Sequence, residues 1–358
     1  MIISIALAAL TIAAPKDGAT MPTLRDAQKA YFAGPRAERF VRMDNAADRL
    51  KLIAAGATQK PLRLAWNGAT NAVYELTIVA EGGEEESFAL TNRTEIWVTN
   101  LELARKYRWM VRCEETGEFA TAVFVTEPDG PRFLRAGGVG NFRDAGGWKT
   151  VDGRRVRQNM LFRSAGLRDR SNETGGFIRR HVELGARRIT PAGIRTLRED
   201  FHIRTDMELR SHAETVGMVS SVLGDDVRWV AVPFAAYDFI DNLVRGREPF
   251  AELFRHLTKA ENFPVLMHCS GGRDRTGTMV FMLNGLLGVS EDDLCKDWEA
   301  SVFSLGTAGN FTSERIQRLL DYLKTLPGAT LKERVESYVR GCGITNEEVA
   351  AFRAIMLE

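Results

Sequence analysis

The pattern of apolar and polar positions changes once along the chain, near residue 130. Between residues 61 and 127, short runs of β-branched and aromatic residues alternate with polar residues at period two. Turn signals such as Asn67-Gly68 and Gly82-Gly83 separate these runs. The alternation predicts short strands, each with one buried face, that form a small all-β sandwich. The stiff polar segment 127–131 then predicts a domain boundary.

The second half alternates predicted strands with predicted helices, which is typical of an α/β domain with a central sheet. Helical periodicity then continues almost without interruption from residue 276 to the C-terminus. The predicted strands cover 160–163, 203–207, 227–234 and 263–268, and the predicted helices cover 191–199, 250–259, 276–287, 291–301, 313–325, 332–340 and 346–357.

The first 60 residues hold two further features. Residues 2–14 are apolar, but 13 residues are too few to cross a bilayer, and no basic residue precedes them as in an export signal. We expect 1–14 to be a signal remnant or the first strand, with export to the periplasm or medium favoured slightly over the cytoplasm. Helical spacing between residues 24 and 56 predicts one or two helices leading into the sandwich. The sandwich, with this helical insertion, is therefore expected to span 10–128, and the α/β domain 131–358.

Composition and charge narrow the classes of function. The length of 358 residues favours two domains, and 44% hydrophobic with 27% charged residues is the balance of a globular protein. With 48 Lys+Arg against 47 Asp+Glu, the whole chain has no electrostatic preference for nucleic acid, so any recognition of an anion has to be local. The four cysteines are far apart and lack zinc spacing, so we expect no disulfide scaffold, no metal site and no cofactor.

The segment that carries chemistry is 265–277, with the sequence VLMHCSGGRDRTG. An apolar strand runs into a glycine-containing turn, and an apolar helix leaves it. Such a turn directs successive N–H groups inward above the positive end of the helix dipole, which makes a cradle for a phosphate-sized anion. At Cys269 this field should lower the thiol pKa from about 8.5 into the range of about 3.5–7.5 and make the thiolate a nucleophile. Arg275 can return across the loop and grip two phosphate oxygens with its planar guanidinium.

These residues resemble the signature of the cysteine-dependent tyrosine phosphatase superfamily, a Cys followed by five residues and an Arg. More narrowly, 268–277 is similar to the atypical bacterial tyrosine and dual-specificity phosphatases related to the mycobacterial secreted phosphatase B. Stretches at 141–147, 161–164, 209–211 and 343–348 agree with that family. The resemblance covers about 131–358 and implies a tyrosine-phosphatase-like fold that hydrolyses phosphomonoesters through a cysteinyl phosphate. The preceding sandwich looks like a fibronectin type III or immunoglobulin-type module.

Covalent catalysis of this kind assigns roles to the motif residues. Cys269 attacks phosphorus, while Arg275 and the N–H groups of the loop stabilise the equatorial oxygens. His268 holds the Cys269 backbone and tunes the sulfur, or is simply a hydrogen-bonded core histidine. Thr276 donates its hydroxyl to the sulfur or to the attacking water, or satisfies the helix backbone. The expected phosphate-binding residues of the loop are Ser270, Gly271, Gly272 and Arg273.

A general acid has to protonate the leaving oxygen. Asp274 is similar to the loop aspartate of the relatives, whereas Asp238 follows a predicted strand, and the wider superfamily supplies its acid from a mobile loop. Asp274 is slightly favoured, and Asp206 is expected to be structural. The relatives usually carry Lys at the position of Arg273 and Asp at that of Glu208, so substrate preference does not follow from the resemblance.

The stretch 131–188 holds 14 Lys+Arg against 5 Asp+Glu. Most of these arginines are expected on a solvated face, and Arg143 and Arg163 are candidates for an entrance that attracts phosphorylated ligands. The expected partner is a phosphorylated protein or phospholipid, not nucleic acid, and no integral membrane segment is expected.

Two other functions compete with a phosphatase. One is a non-catalytic phosphate-binding module of the same fold. The other is a sulfurtransferase or arsenate reductase with a similar loop, which the flanking residues of the motif disfavour. Because no catalytic residue is predicted before residue 131, a fragment beginning near Gly130 is expected to keep its activity on a small aryl phosphate.

Overall fold

The computed structural model describes residues 9–83, 85–167, 189–234, 243, 246–304 and 312–358. The chain folds into two compact units, a β unit and a larger unit with both helices and strands. The β unit comprises Met1–Arg25 and Gln59–Asp129, and the larger unit comprises Asp26–Thr58 and Gly130–Glu358.

The β unit holds two sheets that share one core. One sheet has the order β1-β3-β6 and the other β2-β8-β7-β4-β5. In β7 and in the second half of β8 alternate residues are buried, as the period-two pattern predicts, and the core contains Leu64, Trp66, Leu76, Trp109 and Phe124. Neighbouring strands are antiparallel, apart from the parallel pair β2 and β8. The strands are β1 Thr11–Ala14, β2 Ala19–Met21, β3 Leu62–Asn67, β4 Val73–Ala80, β5 Glu85–Thr91, β6 Glu95–Val98, β7 Lys106–Cys113 and β8 Phe119–Thr126.

The helical segment near the N-terminus differs from the sequence-based prediction. It forms three helices, α1 Asp26–Phe32, α2 Arg36–Asp44 and α3 Ala46–Ala55, and it belongs to the larger unit instead of the sandwich. The aromatic rings of Tyr31 and Phe32 pack against Phe303, and Phe32 also packs against Phe133. Helical periodicity shows which face of a helix is buried, but it does not show which part of the chain covers that face.

The larger unit is built on a sheet in the order β13-β12-β14-β11-β10-β9. Its central strands are parallel, with β14 between β11 and β12, and all five residues of β14 are buried. A strand that is covered on both faces is mostly apolar, which explains the run of apolar residues just before His268. The strands are β9 Arg132–Phe133, β10 Arg143–Asp144, β11 Leu161–Ala165, β12 Thr205–Glu208, β13 Arg228–Ala231 and β14 Val265–Cys269.

The helices of the larger unit lie close to their predicted positions. Two of the last helices begin with capping boxes, in which Thr330 pairs with Glu333 and Thr345 pairs with Glu348. Among the described residues, no helix is both long and apolar enough to cross a membrane. The helices are α4 Pro191–Arg195, followed by a π-helical turn Thr196–Asp200, then α5 Arg247–His256, α6 Asp274–Leu287, α7 Glu291–Glu299, α8 Ser313–Lys324, α9 Leu331–Gly341 and α10 Asn346–Met356, with 3-10 turns at Ala260–Asn262 and Ala300–Phe303.

Candidate active site

The site is formed where β14 ends and α6 begins. Cys269 is the last residue of the central strand and is 3% exposed, and α6 starts five residues later at Asp274. Thr276 lies in the first turn of the helix, where its backbone N–H and hydroxyl lower the pKa of the thiol. The strand thus delivers the thiol to the positive end of the helix dipole.

The loop between β14 and α6 is held in place by hydrogen bonds that its carbonyl oxygens accept from surrounding residues. The carbonyl of Ser270 accepts a hydrogen bond from the Gly166 N–H at 3.1 Å. The carbonyl of Gly271 accepts from Asn141 Nδ2 at 2.9 Å, and that of Gly272 accepts from Arg163 Nη2 at 2.8 Å. In a trans peptide the N–H points away from the C=O, so the N–H groups of the three following residues face the other side of the loop. Three successive donors on one side are the arrangement that binds an anion.

Gly272 is required at its position for two reasons. Its φ is +62°, in the left-handed region that glycine adopts without strain. A Cβ atom added there would also lie 2.2 Å from the Ser164 carbonyl oxygen. The loop therefore packs against β11 more closely than any side chain would permit.

The electrostatic surroundings favour the thiolate of Cys269. Burial alone raises the pKa of the thiol, but the positive charge of Arg275 and the two Thr276 donors lower it further than burial raises it. The negative charge of Asp274 opposes them in part. The net effect is a thiol pKa below its usual value, as the position of the cysteine in the sequence predicts.

Arg275 is held by a carboxylate that sequence reasoning missed. Its Nη1 and Nη2 donate to the two carboxylate oxygens of Glu214 at 2.7 and 2.9 Å. Ser270 Oγ donates to the same carboxylate at 2.7 Å and accepts from Arg275 Nη2 at 3.0 Å. These contacts outweigh burial and lower the pKa of Glu214. Glu214 follows β12, and the carboxyl ends of parallel strands meet at one edge of a sheet, so its position after that strand was the available signal.

His268 lies in a buried carboxylate pocket beneath the loop. Its Nε2 is 2.6 Å from Asp206 Oδ1, and its Nδ1 is 3.6 Å from Glu208 Oε2. Burial lowers the pKa of the imidazole, but the two carboxylates raise it more, so the net direction is upward. Asp206 also accepts a hydrogen bond from Ser221 at 2.6 Å, and Glu208 pairs with Arg210 at 2.7 Å. The sequence left open a contact to the Cys269 backbone or a hydrogen-bonded core histidine, and the structure shows the ring buried and hydrogen-bonded to Asp206.

Of the two candidates for the general acid, the structure describes only Asp274. Asp274 is the first residue of α6, and its carboxylate accepts from Arg273 at 2.8–3.1 Å and lies 3.1 Å from Arg315 Nη1. Arg315 on α8 was not singled out from the sequence. Asp238 lies outside the described residues.

Comparison with known proteins decides the family. The family model described as the tyrosine phosphatase family matches residues 134–185 and 176–358, which together are more than half of the chain. The chain belongs to the tyrosine phosphatase family. The match covers the larger unit from Leu134 onward and includes the whole loop from Cys269 to Arg275.

A curated relative of this family comes from Cupriavidus necator. It is provisionally named a tyrosine-protein phosphatase and is 30% identical over 169 residues, which are 45% of this chain and 59% of the relative. The match thus spans about three fifths of the relative's length.

Two solved structures show only distant likeness. The core catalytic domain of the PP-IP phosphatase SIW14 from S. cerevisiae, in complex with citrate, is 13% identical with a TM-score of 0.27, over 47% of this chain and 90% of that one. The FN5 domain of Drosophila Lar is 21% identical with a TM-score of 0.17, over 21% of this chain and 86% of that one. At these TM-scores neither carries an argument about this tyrosine phosphatase family member.

The prediction that Arg143 and Arg163 line an entrance is wrong. Both side chains are fully buried and lie on neighbouring strands, and both approach Asp297 of α7. Arg143 also donates to Asn141 and to the Asp297 carbonyl, and Arg163 donates to the loop at Gly272. An excess of basic residues in a stretch of sequence does not show which of them acquire buried partners. In this family member the two arginines support the loop from behind.

Within the described part of the chain, no cluster of three or more His, Cys, Asp or Glu side chains is placed to hold a metal ion.

Proposed function

We propose that this protein hydrolyses phosphomonoesters through a cysteinyl-phosphate intermediate and that it is a protein-tyrosine phosphatase. One observation carries the proposal: a cysteine thiol of lowered pKa lies at a helix N-terminus, beside Arg275 and a loop whose carbonyls are held outward. These features together supply a nucleophile and donors for the phosphate oxygens. Family membership supports the same reaction class.

The proposed reaction has two steps. The Cys269 thiolate attacks phosphorus, the S–P bond forms, and the P–O bond to the leaving group breaks as the leaving oxygen takes a proton. Water then attacks phosphorus, the S–P bond breaks, and inorganic phosphate leaves while the thiolate is restored. Arg275 and the loop N–H groups of Ser270 to Arg275 stabilise the equatorial oxygens in both steps. Thr276 donates to the sulfur when it is the leaving group.

We propose Asp274 as the acid of the first step and the base of the second, with Asp238 as the alternative. As an acid, Asp274 has to exchange one of its guanidinium contacts for the leaving oxygen. The test is Asp274→Asn, compared with Asp238→Asn, on substrates with good and poor leaving groups. The variant that lacks the acid slows poor leaving groups much more than an activated aryl phosphate, because only the former need the proton. If only Asp238→Asn has this effect, Asp274 orients the loop instead.

We propose phosphotyrosine as the main substrate, with phosphoserine, phosphothreonine or phosphoinositides as further substrates. The similarity of 268–277 to the dual-specificity relatives of the mycobacterial secreted phosphatase B supports this range. Arg273, where the relatives usually carry Lys, keeps a cation at the loop but is engaged with Asp274.

We propose that the β unit is a fibronectin type III or immunoglobulin-like module that targets or orients the enzyme toward an unidentified partner. Two sheets around a shared core, antiparallel apart from the pair β2 and β8, support the assignment. The unit contributes none of the residues placed in the reaction above.

The central experiment combines a substrate panel with Cys269→Ser. Wild-type protein is expected to turn over a phosphotyrosine peptide, and phosphoserine peptide and phosphoinositide turnover define its range. Cys269→Ser is expected to abolish turnover but to keep orthovanadate binding, because the anion cradle is mostly backbone. Residual turnover above about a tenth of wild type would reject Cys269 as the nucleophile. Orthovanadate binding by a wild-type protein without turnover would favour a non-catalytic phosphate-binding module.

A further inference from the structure

A buried ion pair joins the helical segment α1–α3 to the rest of the larger unit. The side chains of Arg39 on α2 and Glu299 at the end of α7 are 2% and 0% exposed, and Arg39 Nε is 2.8 Å from Glu299 Oε2. Arg39 Nη2 also lies 3.3 Å from Glu299 Oε1 and 2.6 Å from Asp292, and its Nη1 donates to the Gly34 carbonyl at 2.8 Å. All three nitrogens of the guanidinium are therefore engaged.

Helix α7, to which Arg39 is paired, also carries groups that support the phosphate-binding loop. Asp297, two residues before Glu299, pairs with Arg163, whose other nitrogen donates to the Gly272 carbonyl. In the 3-10 turn that follows α7, Ser301 Oγ accepts from Asn141 Nδ2 at 3.2 Å. The same Asn141 amide donates to the Gly271 carbonyl.

A second contact to Asn141 comes from Ser304, three residues after Ser301. Ser304 Oγ accepts from the Asn141 backbone N–H at 2.7 Å. Both side chains that hold loop carbonyls, Arg163 and Asn141, are thus fixed by the one segment from Asp297 to Ser304. Glu299 lies within this segment, so a shift of Glu299 moves the supports of two loop carbonyls together.

Stability alone is a weak reason for such a pair. Burying two charges costs several kcal/mol of desolvation, and apolar replacements of buried pairs are often as stable. The pair does fix the position of α7 relative to α2. A planar guanidinium bound by two carboxylates and a carbonyl permits little movement of the groups that bind it.

We propose that Arg39 is a positioning residue for the phosphate-binding loop and that α1–α3 act as a part of the catalytic unit. Arg39 holds the segment 297–304 in place, and that segment holds the carbonyls of Gly271 and Gly272 outward. This inference rests on the proposed function for its kinetic readout but not for its binding readout.

The experiment uses the full chain with Arg39→Met, Arg39→Lys and a matched control, Arg36→Met. Arg36 lies on the same helix and pairs with Glu291 of the same α7 at 2.5 Å, but the two side chains are 38% and 37% exposed. An exposed ion pair contributes little to stability, so the Arg36→Met control is expected to behave as wild type. Each protein is measured below its unfolding temperature for kcat and KM on an aryl phosphate, orthovanadate affinity, and the pH dependence of Cys269 alkylation by iodoacetate.

Arg39→Met is expected to lower kcat by about ten- to a hundredfold, because small displacements of catalytic groups have effects of this size. Orthovanadate should bind about tenfold more weakly, and the alkylation profile should move to higher pH. Arg39→Lys keeps the positive charge but not the planar guanidinium, so its kcat, orthovanadate affinity and alkylation profile should lie between those of wild type and Arg39→Met. A folded Arg39→Met with a lower melting temperature but wild-type kcat, orthovanadate affinity and alkylation profile overturns the proposal.

If Arg39→Met does not fold, the measurements on Arg39→Lys test the proposal. A folded Arg39→Lys with wild-type values in all three measurements overturns the proposal, and reduced kcat with weaker orthovanadate binding supports it. Should the wild-type protein turn over no phosphate ester, the proposed function fails, while orthovanadate binding and alkylation still test the role of Arg39.

Discussion

At the scale of single residues, the site is organised by the pairing of Arg275 with Glu214. The guanidinium that is proposed to bind substrate is already gripped by a carboxylate through both terminal nitrogens. A fixed guanidinium does not lose side-chain freedom when it binds phosphate, so this pairing favours the transition state, at the expense of a negative charge on a carboxylate that is only 11% exposed.

Replacement of Glu214 tests this role. Glu214→Gln removes the charged acceptor and is expected to lower kcat/KM for an aryl phosphate by about tenfold, since a hydrogen bond to a charged group contributes about 1.5–3 kcal/mol. Steady-state kinetics measure the effect, with Val219→Ala as the control because Val219 is 86% exposed in the same loop. An increase in kcat/KM would show that Glu214 competes with the substrate phosphate instead of orienting Arg275.

The lowered pKa of Cys269 gives a second prediction at this scale. Burial raises this pKa, and Arg275 is the largest of the influences that lower it. Arg275→Met should therefore raise the thiol pKa and move the midpoint of alkylation by iodoacetate to higher pH. The thiolate fraction rises with pH in both proteins, so the variant reacts more slowly at neutral pH and equally fast well above its pKa. An unchanged midpoint would assign the effect to the helix N-terminus and Thr276.

At the scale of elements, the loop between β14 and α6 depends on its close packing against β11. Gly272→Ala places a Cβ atom 2.2 Å from the Ser164 carbonyl oxygen, so the loop has to move. We expect turnover to fall by about a hundredfold or more, because a displacement near 1 Å is enough for such a loss, and orthovanadate binding to weaken with it.

Gly153→Ala separates this clash from backbone strain. Gly153 has a φ of +89°, but an added Cβ would meet nothing within 4 Å. The control should lose some stability through strain and keep wild-type kinetics. Equal kinetic losses in the two variants would show that the close packing of Gly272 is not what positions the loop.

At the scale of the whole molecule, the grouping of α1–α3 with the larger unit changes the expectation for truncation. A fragment that begins near Gly130 lacks Arg39, the partner of Glu299, and exposes the parts of α7 and of the following 3-10 turn that α2 and α3 cover in the full chain. The fragment also loses Tyr31 and Phe32 from the aromatic cluster around Phe303.

We therefore expect the fragment to be unfolded or to have much less activity than the full chain. Circular dichroism and turnover of an aryl phosphate measure both properties. A folded fragment with most of the wild-type activity would restore the simpler division at residue 130 and would contradict the role assigned to the helical segment.

The sequence by itself determined the features that depend on neighbours along the chain. The run from Val265 to Gly277 specifies a buried strand, a tight loop and a helix, and so placed the thiol and Arg275 at a helix N-terminus. Period-two alternation located strands β3 to β8 of the β unit, and helical periodicity located α10. These patterns act over a few residues, so their physical meaning can be read without a tertiary structure.

Only the tertiary structure decided which distant groups meet. Glu214 and Arg275 are 61 positions apart, and Arg39 and Glu299 are 260 apart, so no local pattern connects them. Burial likewise decided that Arg143 and Arg163 support the loop from behind instead of facing ligands. A charged side chain has the same sequence signal whether it is solvated or paired in the core, because its environment is created by the packing of elements that are remote along the chain.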